Sequence, residues 1–131
     1  MKTRHLLIIA LDSSAPDDVP DADVLVVAPA LNAWLRRWMS DEDEARRRAE
    51  ERGAAFVQDL ERRGIHADSR VGDADPVQAI ADALAMFPAD EIMIAGAPER
   101  PTRFAAEVAS RASRRFPLPI FRAGGPLPLA A

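Results

Sequence analysis

Few residues in this chain are equipped for chemistry, and most of those are aspartates or arginines. There is no cysteine and no tyrosine, and the histidines are His5 and His66. Thiolate nucleophiles, thiolate metal ligands and disulfides are excluded at once, and the choice of general acids is narrow. The two histidines are far apart in sequence, and neither has an acidic or histidine neighbour at ligand spacing. They read as strand-flanking residues rather than a transition-metal site. Asp12, Asp17, Asp18, Asp21 and Asp23 crowd one loop. A divalent cation, or acid–base hydrolysis through Asp17 and Asp18, is the chemistry such a loop could offer. It lacks an ordered ligand pattern with a turn glycine, so a solvated loop is the stronger reading. Arg100, Thr102 and Arg103 open a helix, where positive charge and free backbone amides suit a phosphate-like anion; solvated arginines are the other reading. No Gly-x-Ser-x-Gly elbow, Walker loop or dinucleotide fingerprint occurs.

The elements that must hold these residues follow from apolar patterning. Leu6 to Leu11, Val24 to Ala28, Glu91 to Ala95 and Leu118 to Arg122 are short runs without polar alternation at their centres. Such runs predict strands buried on both faces. Ile65 to Val71 alternates and predicts a strand near a sheet edge. The N-terminal run resembles a signal peptide in outline, but it stops at Asp12 without a small-residue cleavage pattern and reads as the first strand.

Helix signals fill the intervals. Ser40 caps a long helix whose acidic first turn, Asp41 to Glu44, suits the positive helix end. Its inward residues are Ala45, Ala49, Phe56 and Leu60, its outward pairs Glu42/Arg46, Asp43/Arg47, Glu44/Arg48 and Asp59/Arg63, and Gly64 is its left-handed cap. Asp75-Pro76 opens a second helix with Val77, Ile80, Leu84 and Phe87 as its stripe, ending at Pro88. Thr102 opens a third, with Phe104, Val108, Ala112 and Phe116 inward. Leu31, Trp34, Leu35, Trp38 and Met39 form a further short amphipathic stripe.

Strands separated by helices predict parallel pairing, here a flavodoxin-like, doubly wound α/β sheet of five strands in the order 3-2-1-4-5. The interval between Leu11 and Asp23 holds Pro16 and Pro20 and has no room for a helix, so the first crossover helix is expected to be missing. A length of 131 residues fits a single domain, taken as residues 1–123 with a frayed Pro/Gly-rich tail at 124–131. A formal charge of -4 gives no general attraction to nucleic acid or an anionic membrane. No stretch has the length of a membrane-spanning helix, and a cytoplasmic location is expected.

The order of several motifs resembles the universal stress protein family. Leu11-Asp12-Ser13-Ser14 resembles its first strand followed by Val-Asp-Gly-Ser, and Val71-Gly72-Asp73-Ala74-Asp75-Pro76 its strand ending in Gly-Asp-Pro. Ile92-Met93-Ile94-Ala95-Gly96 resembles its fourth strand and Phe116-Pro117-Leu118-Pro119-Ile120 its closing run, so the likeness covers His5 to Arg122. The resemblance implies an adenine nucleotide alpha hydrolase-like fold, often a homodimer, and a nucleotide crevice to which Asp12 contributes. The glycine-rich phosphate loop of the nucleotide-binding branch is not matched. Glu99 stands at its second glycine, Pro98 and Pro101 interrupt it, and no Gly-Ser or Gly-Thr follows as far as Arg122.

The expected crevice is therefore degenerate and consists of Asp12, Ser13, Ala28, Gly96, Arg100, Thr102 and Arg103. Asp12 has a second reading, as a turn residue accepting local amide bonds. No cofactor and no catalysis are expected; the alternative is an ATP- or AMP-binding stress protein with slow or no hydrolysis. Because the missing helix would leave part of a sheet face bare, Trp34 and Trp38 are candidates to cover it or to form a dimer contact. Leu118 and Ile120 on the last strand are candidates for edge-to-edge dimer pairing.

Overall fold

The computed structural model describes residues 4–13, 15–31, 42–96 and 102–123. The elements are β1 (His5–Ala10), β2 (Asp23–Pro29), α1 (Glu42–Arg62), β3 (Ala67–Gly72), α2 (Pro76–Leu84), β4 (Glu91–Ala95), α3 (Thr102–Arg115) and β5 (Ile120–Ala123). All strand pairs are parallel, in the order β3-β2-β1-β4-β5. The predicted α/β fold and strand order are those observed.

The period-two alternation of each central strand sends its apolar residues to both faces. Leu6, Ile8, Val24, Val26 and Met93 meet Phe56 and Leu60 of α1 on one face. Leu7, Ile9, Leu25, Val27, Ile92 and Ile94 meet α2 and α3 on the other, through Ala79, Ile80, Ala105, Val108 and Ala112. Ala45, Ala49, Phe56 and Leu60 are all buried, as the 3.6-residue period requires. Of the outward pairs on α1, Glu44–Arg48 closes at 2.9 Å and Asp59–Arg63 at 3.1 Å. Gly64 follows α1 with φ of 81°, the left-handed cap position.

Four expectations need correction. β5 begins at Ile120, because Pro119 has no N–H to give a ladder, and it offers Ile92 only its carbonyl, at 2.9 Å. β5 is also not buried on both faces: it is a sheet edge on which Phe121 is 38% exposed. The helix α2 stops at Leu84 rather than running to Pro88, although Phe87 still packs with Leu84 against the α2/α3 cluster and also meets the His5 ring edge-on at 5.7 Å. His5 is also not without acidic neighbours. Strand register and the α2–β4 turn bring Asp23 and Asp90 to 3.8 and 3.7 Å from its ring nitrogens.

No helix occurs among the described residues between β1 and β2. Residues 15–22 instead run as a strap over the α1 face, with Ala15 and Val19 buried in the same cluster as Ile8, Ala10, Met93 and Ala95. Its tethers come from Asp59, in the last turn of α1, and from Arg63, just after it. Asp59 Oδ2 accepts the Ala15 N–H at 3.0 Å, while Arg63 donates to the carbonyls of Ala15, at 2.9 Å, and Pro16. The Asp59/Arg63 pair, legible as a surface ion pair, is thus the fastening of the segment that replaces the first helix. Trp34 and Trp38, expected as that cover, lie outside the described residues, as do Ser40 and Asp41.

Candidate functional site

In a doubly wound sheet, ligands bind over the carboxyl ends of the strands where the strand order reverses. Here that point lies between β1 and β4, whose pairing runs one rung beyond the strands through the Leu11 N–H on the Ala95 carbonyl at 3.1 Å. Topology therefore brings Asp12 and Ser13, which leave β1, beside Gly96, which leaves β4. Asp12 is half-buried, and its Oδ1 accepts the Ser13 N–H at 2.7 Å. That is the local turn geometry read as an alternative from the sequence. Arg103 is exposed in the first turn of α3; Thr102 is the first residue of that helix, and Arg100 lies outside the described residues.

Ala28 does not join them. It is fully buried with Ala30, Ala45 and Ala49 beneath α1, because its face of β2 is the one α1 covers. Leu118 and Ile120 are half-buried against the α2/α3 cluster, and the outward apolar side chain of β5 is Phe121.

The residue sequence reasoning missed is Arg52. The β1–β2 ladder starts with the Asp23 N–H on the Arg4 carbonyl at 2.8 Å. Stepping by two residues along both strands, the Ala10 carbonyl comes to face position 29, which is Pro29 and has no N–H. Arg52 supplies the missing donor. Its Nε–H bonds the Ala10 carbonyl at 3.0 Å, and Nη2 bonds the Pro29 carbonyl. The planar guanidinium fork thus caps both strand ends from α1. A signal was present, a proline ending a central strand opposite an arginine-rich helix, but nothing in sequence spacing couples position 52 to positions 10 and 29.

Two further features border the carboxyl end of the sheet. A groove of about 260 Å³ between α1 and the β3 edge is lined by Ala49, Glu50, Gly53, Ser69, Arg70 and Val71. Asp12, Ser13 and Gly96 do not line it. At the end of β3, Asp75 caps α2 by accepting the Val77 N–H at 3.0 Å and receives Arg111 of α3 at 3.2 Å. The Arg111 bond holds the Asp75 carboxyl below its ordinary value, against partial desolvation and with help from the Val77 amide. A carboxyl held low stabilises the fold while ionised. Its contribution is complete above the unfolded-state value and is lost as pH falls through the lower folded-state value. Asp75→Asn is thus expected to cost about 0.5 kcal/mol at neutral pH, since both partners are exposed. The difference from wild type should shrink below about pH 4 in urea titrations across pH.

Among the described residues no group of three or more His, Asp or Glu side chains is placed to hold a metal ion, and no helix is long and apolar enough to cross a membrane. No protein-family model matches the chain, and no curated protein matches it.

Proposed function

We propose that the chain is a non-catalytic regulatory or assembly module of the universal stress protein kind, dimeric, which works without holding ATP. The observation that supports this reading is that, among the described residues, polar groups at the carboxyl ends of β1 and β2 are bonded by the protein's own side chains. Arg52 is committed to the carbonyls of Ala10 and Pro29, and Asp12 to the neighbouring Ser13 amide. A nucleotide there would have to displace bonds the fold already uses, with no glycine-rich loop to supply replacements. Assembly is supported by β5, an edge strand that carries the exposed Phe121. Contact with protein partners, rather than with nucleic acid or membrane, agrees with the acidic charge.

One observation favours a second reading, an adenine-nucleotide-binding stress protein. Asp12 and Gly96 both follow the carboxyl ends of adjacent strands, at the reversal of strand order. Calorimetric titration with ATP and AMP separates the two. The first reading expects no binding heat up to millimolar nucleotide, with a dimer by sedimentation in the same samples. Micromolar binding that disappears in Asp12→Ala would establish the second.

A further inference from the structure

On the α1 face the helices do not cover the whole sheet. The α1 backbone lies over β3 and β2, approaches β1 less and stands away from β4, while α2 and α3 lie on the opposite face. Met93 nevertheless is only 5% exposed, and it shares its buried cluster with Ala15 and Val19 of the strap. The strap is thinly held. Among the described residues no backbone–backbone hydrogen bond joins residues 15–22 to the rest of the chain. Its polar tethers are those to Asp59 and Arg63, with Asp17 at 3.8 Å from the same guanidinium. Its apolar anchors are small: Ala15 and Val19 are buried, and Ala22 is partly buried against the same cluster.

We propose that residues 15–22 form a detachable cover fastened by the Asp59/Arg63 latch, which opens while the five-stranded sheet stays folded. Segments held by few buried contacts and few backbone bonds open at lower free energy than the sheet they lie on. Opening uncovers Ile8, Ala10, Met93 and Ala95. Met93 is the register partner of the already exposed Phe121, so the uncovered patch is continuous with the apolar edge of β5. The device is a hidden apolar surface displayed by breaking one side-chain latch.

Methionine oxidation reads this directly, because Met86 is 54% exposed and serves as an internal reference beside the covered Met93. The full chain is treated with dilute hydrogen peroxide over a series of urea concentrations below the unfolding transition, and sulfoxide at each position is followed by peptide mass spectrometry. Met86 is expected to oxidise quickly and equally in all variants. Met93 should oxidise slowly, at a rate flat in low urea, and about tenfold faster in Arg63→Ala, which removes the charged donor from two carbonyls. Val19→Ala, which weakens the anchor without touching α1, should move Met93 in the same direction and keeps the test open if Arg63→Ala fails to fold. The inference is overturned if Met93 oxidation follows the urea dependence of global unfolding from the first addition. It is equally overturned if neither variant accelerates it beyond its own loss of global stability.

Discussion

Arg52→Ala is expected to lower the unfolding free energy by about 2–3 kcal/mol, the range for hydrogen bonds made by a charged group. The cost arises at the carbonyls of Ala10 and Pro29, both at the end of the central β1–β2 pair, which lose the donor that closes their ladder. Arg52→Lys should recover only part, since an ammonium is a point donor and cannot reproduce the planar fork. The decisive test is a double-mutant cycle with Pro29→Ala. Alone, Pro29→Ala adds an N–H where Arg52 Nε already sits and is expected to gain nothing. Combined with Arg52→Ala, the new N–H faces a carbonyl without a partner and should restore about 1 kcal/mol. Urea midpoints for the four proteins check this. Additivity within about 0.5 kcal/mol would show that the arginine is not standing in for the proline's missing donor.

Gly72→Ala is expected to cost about 1–3 kcal/mol through overpacking. A Cβ at position 72 would come 2.6 Å from Val27 Cγ1 and 2.8 Å from the Cβ of Ala79. Neither neighbour is the free end of a long side chain: Val27 is buried in the sheet, and Ala79 lies in the first turns of α2, fixed by the Asp75-Pro76 start. The glycine is therefore required so that α2 can lie close to the end of β3. Against a total stability of about 5–15 kcal/mol for a domain of this kind, the loss is large. It should appear as a lower urea midpoint with an unchanged slope. Ala79→Gly in the same chain should return part of the loss by removing one of the two clashing atoms. A change below about 0.5 kcal/mol for Gly72→Ala alone would show that α2 shifts freely.

These two residues mark the boundary of what the sequence discloses. The architecture was legible because each element carried local, redundant signals: unbroken apolar runs for β1, β2 and β4, and the Asp75-Pro76 start of α2. That the described residues between β1 and β2 carry no helix was legible too, since Pro16 and Pro20 interrupt a short interval. What covers the sheet in its place was not. Asp59 and Arg63 satisfy the simplest helix-surface rule, four residues apart with favourable order, and that sufficient local explanation hides their bonds to Ala15 and Pro16. Arg52 was hidden likewise among the other arginines of α1. Asp12, Ser13 and Gly96 follow the ends of adjacent strands, as the apolar runs alone predict, whereas Ala28 is buried beneath α1. Which face of β2 each residue takes depends on where α1 packs, and that is a tertiary fact. Burial of β5 failed for a related reason, because apolar content alone does not distinguish an edge strand from a central one.

The short link between β1 and β2 also bears on how the chain reaches its fold. In a parallel sheet the loop entropy of each pairing must be spent before its contacts form, and the cost rises with the length of chain enclosed. β1 and β2 are separated only by the strap, whereas β1 must wait for most of the domain before meeting β4. The β1–β2 pair is thus the nearest approach to a local nucleus available to this topology. Since Asp59 and Arg63 hold the strap from the end of α1, docking of that helix completes the nucleus. Truncations such as Leu7→Ala and Val26→Ala should therefore slow refolding. Truncations at Ile94 and Val108 should instead chiefly hasten unfolding.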